Sequence, residues 1–263
     1  MTKVLFLGDI FGRPGRQAVR DLLPRLVGNE DIDLAVANGE NASGGIGLDE
    51  DEACELLGYG LAVLTGGNHT FRYKTAEKML NGDSRLIRPA NYPDPCPGRG
   101  WAIAETPGGI KVGVGNLIGR VFMNSSLDCP FAAADRILAE MKAAGAEITI
   151  IDFHAEATSE KKALAWHLDG RAGALLGTHT HVPTADAGLM PGGLAFMTDV
   201  GMCGPHQSVI GMSQESVLPT FLTGRPSRFE PAAKGARLNG VIIEFGANGQ
   251  AVDIRPVDIK NIR

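Results

Sequence analysis

The 263-residue chain has four cysteines, Cys54, Cys96, Cys129 and Cys203, and none of them forms a C-x-x-C pair. Such scattered thiols argue against a disulfide framework or a cysteine-based zinc site and fit a reducing compartment. The chain also lacks an excess of positive charge: 25 Lys and Arg face 30 Asp and Glu, for a net charge of −5. Nonspecific binding to polyanions needs a basic surface, so no stable nucleic-acid partner is expected. No stretch approaches the ~20 apolar residues of a membrane span. The opening run "MTKVLFLGDI" meets Asp9 too early for the core of a secretory signal. The expectation is a cytoplasmic protein with no membrane partner. Internal repeats and low-complexity tracts are missing as well.

Glycine, in contrast, is abundant. The 35 glycines are close to twice the usual share of about 7%. They cluster in "NGENASGGIG" and "LTGGNHT". Glycine permits positive φ and lets backbone approach a ligand closely, so a site built on tight loops is expected. With 44% hydrophobic and 21% charged residues the chain is an ordinary globular one. Its length is within reach of one large α/β domain. The Pro-rich stretch "NYPDPCPGRG" (91–100) reads as a connector, so residues 1–263 are expected to form a single domain.

Five short apolar runs read as buried strands: residues 3–8, 33–39, 61–67, 148–154 and 172–179. Their apolar residues are continuous, as in sheet strands covered on both faces. Helical patterns cover Gly15–Val27, Asp49–Leu57, Arg72–Leu80, Phe131–Ala144 and Ser159–His167, with Gly145 as a stop signal for the fourth. Two more strands are expected around a Pro-Gly-Gly turn after Trp101, another in "GLAFMTDVG", and a C-terminal hairpin at "GANGQ". The predicted fold is α/β, with two sheets and helices outside.

The five runs share a feature at their ends. They stop at Gly8-Asp9, at Asn38-Gly39-Glu40-Asn41, at Gly66-Gly67-Asn68-His69, at Asp152-Phe153-His154 and at His179-Thr180-His181. Ligands of open α/β sheets gather outside the carboxyl ends of strands. If the runs are parallel neighbours, Asp9, Glu40, Asn41, Asn68, His69, His154, His179 and His181 converge. Four of the six histidines belong to this set. Taken singly, each residue has an ordinary reading as a turn former, a helix cap or a satisfied buried imidazole. Together they offer carboxylate, amide and imidazole donors suited to borderline divalent metals such as manganese, iron or zinc. The absence of cysteine speaks against a structural zinc site. There are too many donors for one tetrahedral ion; two divalent ions bridged by a carboxylate would use them all.

The order of Asp9 in "GDI", "GGNH" (66–69), a distal His154 and "GTHTH" (177–181) resembles the calcineurin-like metallophosphoesterase superfamily. That superfamily usually has Asp-x-His in its first motif, where Phe11 stands here, and a bridging Asp in its second, where Glu40 stands here. "GDIFGRPGR", "ANGENASGG" and "TDVGMCGP" (198–205) resemble the YmdB-like group within it, over essentially the whole chain. The resemblance implies a four-layer fold of two sheets flanked by helices. It implies one metal on Asp9, Glu40, Asn41 and His181, and another on Glu40, Asn68, His154 and His179. Asn41 would stand in for the missing first-motif histidine. Manganese or iron are the first candidates, magnesium or zinc the alternatives.

His69 matches the family histidine that protonates the leaving group, and an imidazole can exchange protons near neutral pH. The activity implied is hydrolysis of phosphoesters by a metal-bound hydroxide. The substrate implied is a small-molecule phosphoester, above all a 2′,3′-cyclic nucleotide. The glycines of residues 41–47 could admit phosphate or ribose. Arg13 and Arg16 could touch phosphate, and Tyr73 could stack on a base, although solvated surface roles suit all three. Three rivals stand beside this reading. One is a phosphomonoesterase acting on nucleotides or phosphoproteins. Another is a regulator for which catalysis is secondary. The third is an amidohydrolase-type barrel, in which the H-x-H pair follows the first strand rather than the fifth. A homo-oligomer is expected on base rates.

Overall fold

The computed structural model of the chain describes residues 1–123 and 126–261. Along the chain run β1 (Thr2–Leu7), β2 (Asp9–Ile10), α1 (Gly12–Glu30), β3 (Leu34–Asn38), α2 (Glu50–Gly58), β4 (Val63–Thr65) and α3 (Ala76–Gly82). Then come β5 (Trp101–Glu105), β6 (Lys111–Ile118), α4 (Pro130–Ala143), β7 (Ile148–His154), α5 (Thr158–Leu168) and β8 (Ala174–Thr178). The last part holds β9 (Gly188–Leu189), β10 (Ala195–Met197), β11 (Met202–Pro205), α6 (Gln214–Thr223), β12 (Ala236–Phe245) and β13 (Ala251–Lys260).

The strands form two sheets. One has the order β2-β11-β12-β1-β3-β4, with β13 also on β12, and its β1, β3 and β4 are parallel. The other has the order β5-β6-β7-β8-β10-β9, with β6, β7, β8 and β10 parallel. Three apolar layers hold them together. In β1, Leu5 and Leu7 meet Leu23 and Leu26 of α1 and Leu56 of α2. Val4 and Phe6, on the opposite face, meet Val114, Ile150 and Leu176 of the second sheet. Beyond that sheet, Ile151 and Phe153 pack on Ile137 of α4 and Leu164 of α5. Strand residues alternate between faces, so a continuous apolar run serves two cores at once. Each fully buried large apolar side chain contributes about 1.5–3 kcal/mol. The result is the expected helix–sheet–sheet–helix order.

Three details differ from the sequence reading. The five runs are not one set of parallel neighbours: β1, β3 and β4 lie in one sheet, β7 and β8 in the other. α3 begins at Ala76 rather than Arg72, because the chain turns through residues 69–76. α6 is an additional helix, with Pro219 inside it and Val217 as its buried residue. Among the described residues, no helix is long and apolar enough to cross a membrane.

Candidate metal centre

The first sheet delivers five of the eight polar residues. Asp9 starts β2 and is fully buried. The loop after β3 brings Glu40 and Asn41, also buried, and the loop after β4 brings the exposed Asn68 and half-buried His69. Gly67 is the hinge of this last loop for a steric reason. A Cβ there would lie 2.1 Å from Glu40 Oε2 and 2.5 Å from His154 Nε2. Only a residue without a side chain leaves that hollow free.

The second sheet delivers the other three. Alternation along β7 points Asp152 and His154 to one face and sends Phe153 into the outer core. After β8 the chain turns through His179 and His181, whose φ values of 100° and 65° are in the left-handed region. Such backbone costs on the order of 1–3 kcal/mol per residue and persists only where its surroundings hold it. Here the His179 N–H donates to Asp9 Oδ2 at 3.0 Å, and the Thr180 N–H donates to Asp199 Oδ2 at 3.0 Å. The turn is therefore tied to the first sheet by one of the candidate ligands.

All eight residues come together where the two sheets meet. Asn68 Oδ1 and His179 Nδ1 each lie 3.0 Å from His154 Nε2, and Glu40 Oε1 lies 3.1 Å from it. On the other side, Asp9 Oδ1 lies 3.6 Å from His181 Nε2 and 3.5 Å from Asn41 Nδ2. His69 spans the rim, with Nδ1 3.0 Å from Asn41 Oδ1 and 3.2 Å from Glu40 Oε1. Glu40 Oε1 is buried and, among the described residues, accepts no hydrogen bond. Its near neighbours are the imidazole nitrogens of His154 and His69, and a buried carboxylate oxygen that receives no hydrogen bond is costly unless a cation meets it.

Each of the three imidazoles has its outer nitrogen engaged. His154 Nδ1 is 2.9 Å from Thr178 Oγ1, whose proton goes to Asp152 Oδ1 at 2.7 Å. His154 must then donate through Nδ1, which in the neutral ring leaves a lone pair on Nε2 facing the centre. His179 Nε2 is 3.2 Å from Glu156 Oε2, and His181 Nδ1 is 2.8 Å from the Ile210 carbonyl. Carboxylates and carbonyls behind imidazoles are the usual supports of metal-binding histidines. Asn41 presents Nδ2 to Asp9 and His181. Ligation through its oxygen requires the opposite amide face.

The electrostatics are those of a compressed donor set. Burial raises the Glu40 carboxyl, but His154 and His69 beside it hold it well below the usual range. Burial likewise raises Asp9, and His181 and His154 bring it below its ordinary value. Burial lowers His154, yet Glu40, Asp9 and Asp152 lift it to about 9. Burial and the neighbouring His154 charge push His179 down to about 4. Burial alone carries Asp152 up to about 6, against His154 and its hydrogen bonds.

The secondary candidates have structural work. Arg16 Nε donates to Glu55 at 2.6 Å and Nη1 to the Ala42 carbonyl at 2.6 Å, so it braces the Glu40 loop. The Tyr73 hydroxyl donates to the Ser43 carbonyl at 3.2 Å and braces the same loop. Arg13 is exposed. The sequence reading missed Thr178, Glu156, Lys161, Asp199 and the Ile210 carbonyl. Asp152 was visible two residues before His154, the spacing that shares a strand face.

A cavity of about 280 Å³ opens over Glu40, Asn41, His69, His179 and His181. A larger hollow of about 600 Å³, beside Leu80, Arg99 and Trp101, has no comparable group of ligand-type side chains.

The family model described as YmdB-like protein matches residues 5–257. A 2′,3′-cyclic-nucleotide 2′-phosphodiesterase from Bacillus subtilis is 43% identical over 92% of this chain and 91% of its own. The solved structure of a hypothetical protein from Thermus thermophilus is 42% identical, with a TM-score of 0.91 over 98% of this chain and 99% of that one. A structure described as a novel phosphatase, from Mycoplasma pneumoniae, is 34% identical, with a TM-score of 0.91 over 98% of this chain and 93% of that one. A 5′-nucleotidase precursor, also from Thermus thermophilus, shares the fold at 14% identity and a TM-score of 0.56, covering 98% of this chain and 54% of that one. By sequence and by structure, the chain belongs to the YmdB-like family.

Proposed function

We propose that this chain is a phosphodiesterase that uses two divalent metal ions, manganese or iron foremost, to hydrolyse 2′,3′-cyclic nucleotides. The observation that carries the reading is Glu40 Oε1, buried and without a hydrogen bond among the described residues, at the centre of inward-facing donors. Asp9, Glu40, Asn41 and His181 would hold one ion; Glu40, Asn68, His154 and His179 would hold the other. The hollow that a side chain at residue 67 would fill and the engaged outer nitrogens fit that role. When bound, such ions supply Lewis acidity toward phosphoryl oxygens and make water nucleophilic near neutral pH.

The chain's own groups do the rest. His154, His179 and His181 are held in one orientation each, so the donor set is organised before substrate arrives. His69, on the cavity wall, gives a proton to the leaving oxygen. In the balanced reaction a water oxygen joins phosphorus, one P–O bond of the cyclic diester breaks, and the freed ribose oxygen takes the proton. The product is a nucleoside monophosphate. The Bacillus subtilis relative, named for this reaction, supports the choice of substrate.

The test is turnover of 2′,3′-cyclic AMP by metal-stripped protein with and without Mn²⁺, beside a His69→Ala variant. The expected result is metal-dependent formation of nucleoside monophosphate, reduced about 10²–10⁴-fold in the variant, the range for a lost general acid. Absence of metal-dependent turnover overturns the reading. The Mycoplasma pneumoniae structure described as a phosphatase favours a monoester as the second reading. Faster hydrolysis of 3′-AMP than of the cyclic diester would select it.

A further inference from the structure

The cavity over the donor set has two chemically opposite walls. One is made of Glu40, Asn41, His69, His179 and His181. Every other lining residue is apolar or glycine; Ile46, Ile210, Met212, Phe221 and Phe229 make up much of that wall. Phe221 is 77% exposed and Phe229 41% exposed, across the cavity from the polar donor set. Scattered exposed apolar residues are normal, but a contiguous set on one side of a polar cavity marks a binding surface. The wall is anchored to the donor set, because the Ile210 carbonyl that holds His181 belongs to the same segment.

From this we infer that the Phe221–Phe229 wall is the subsite for the nucleobase, and that it accepts purines and pyrimidines alike. The inference rests on the phosphodiesterase reading above. An aromatic face stacks on any base, because every base has a π-face. Reading one base against another requires hydrogen-bonding groups aimed at its edges, and the side chains of this wall supply none. No lysine or arginine lines the cavity, so a second phosphate would find no cation here. The volume of about 280 Å³ is just under the roughly 300 Å³ at which ligand pockets begin, a size that suits a single nucleotide.

The experiment compares three substrates with Mn²⁺-loaded enzyme: 2′,3′-cyclic AMP, 2′,3′-cyclic CMP and glycerol 1,2-cyclic phosphate, a cyclic diester without a base. The proteins are the natural chain, Phe221→Ala and Phe221→Trp. Because Phe221 is mostly exposed, the fold should tolerate both changes, and melting curves check this. In Phe221→Ala the KM for both nucleotides should rise about fivefold or more, the lower end of the loss of one stacking contact. kcat should hold within about twofold, as when uniform binding is removed. Turnover of the glycerol diester should not change, and Phe221→Trp should restore the nucleotide KM.

An equal loss on all three substrates, or no change in KM, overturns the subsite. So does a dimer of the natural chain that Phe221→Ala dissociates, since a second copy would then cover the wall. If the natural chain hydrolyses the glycerol diester as efficiently as the nucleotides, the phosphodiesterase reading stands and the subsite falls. If it hydrolyses none of the three, the phosphodiesterase reading itself falls, and the subsite with it.

Discussion

Lys161 Nζ lies 3.0 Å from Asp199 Oδ2, and both side chains are sealed from solvent. The pair sits directly beneath the His179–His181 turn. Lys161 also donates to the Thr178 carbonyl at 2.8 Å, and Asp199 also accepts from the Thr180 hydroxyl at 2.7 Å. The pair thus fixes Thr178 and Thr180, the residues on either side of His179 and before His181, the two histidines held at positive φ.

Removing one partner leaves the other buried without its counter-charge. Lys161→Met should destabilise the chain by about 3–5 kcal/mol, the usual cost of breaking a buried pair from one side. Denaturant unfolding of metal-free protein measures this. Asp199→Asn keeps the shape and part of the hydrogen bonding, and should fold while binding Mn²⁺ more weakly by calorimetry. An Asp199→Asn protein with unchanged metal affinity would show that the turn aims its histidines without the pair.

The turn also shows what the sequence could convey. The strand runs and their polar ends were legible, because an apolar run that stops at Asp, Asn or His is a local signal. β7 and the C-terminal hairpin at residues 246–250 follow the sequence reading closely. The division of the runs between two sheets was not legible: a run buried on both faces reads the same in either sheet. Lys161 and Asp199 were hidden because they lie 38 residues apart and meet only through the fold. α6 gave little signal because Pro219 interrupts it and Val217 is its buried residue, so no apolar stripe marks it. The wall it builds beside the donor set could not be read from periodicity.

Thr178 orients His154 from behind by accepting from Nδ1 and donating to Asp152. Thr178→Val preserves the shape and removes both bonds. Mn²⁺ affinity should fall about 10–100-fold, as for other lost supports of metal-binding histidines. Thr178→Ser, which retains the hydroxyl, should recover most of it. Competition with a chelating dye gives the measurement, and equal affinities for the Val and Ser variants would refute the role.

Gly67→Ala tests the hollow at the centre. The added Cβ meets Glu40 Oε2 and His154 Nε2 far inside contact distance, and both belong to the donor set. Overpacking of this kind costs about 1–3 kcal/mol. The strain would displace the two side chains on which the proposed ions depend. The variant should fold with a lowered melting temperature and lose metal-stimulated turnover. Full activity in Gly67→Ala would show that the hollow is not needed.

Metal uptake should also release protons. In the metal-free protein the His154 pKa, lifted from 6.5 to about 9, keeps that imidazole protonated at pH 7. A ligating imidazole must be neutral. Its proton therefore has to leave as metal enters, and affinity should rise about tenfold per pH unit below pH 9 on this account alone. Calorimetry at pH 7 in two buffers of different ionisation enthalpy counts the protons released; a count of zero refutes ligation by His154. The sign reverses for stability without metal. A group whose pKa is raised on folding stabilises the fold fully below its unfolded value and loses that contribution as pH rises through the folded one. Metal-stripped protein should therefore melt at a lower temperature at pH 9.5 than at pH 6. Saturating Mn²⁺ should remove that difference, because His154, if it ligates, would then be neutral at both pH values.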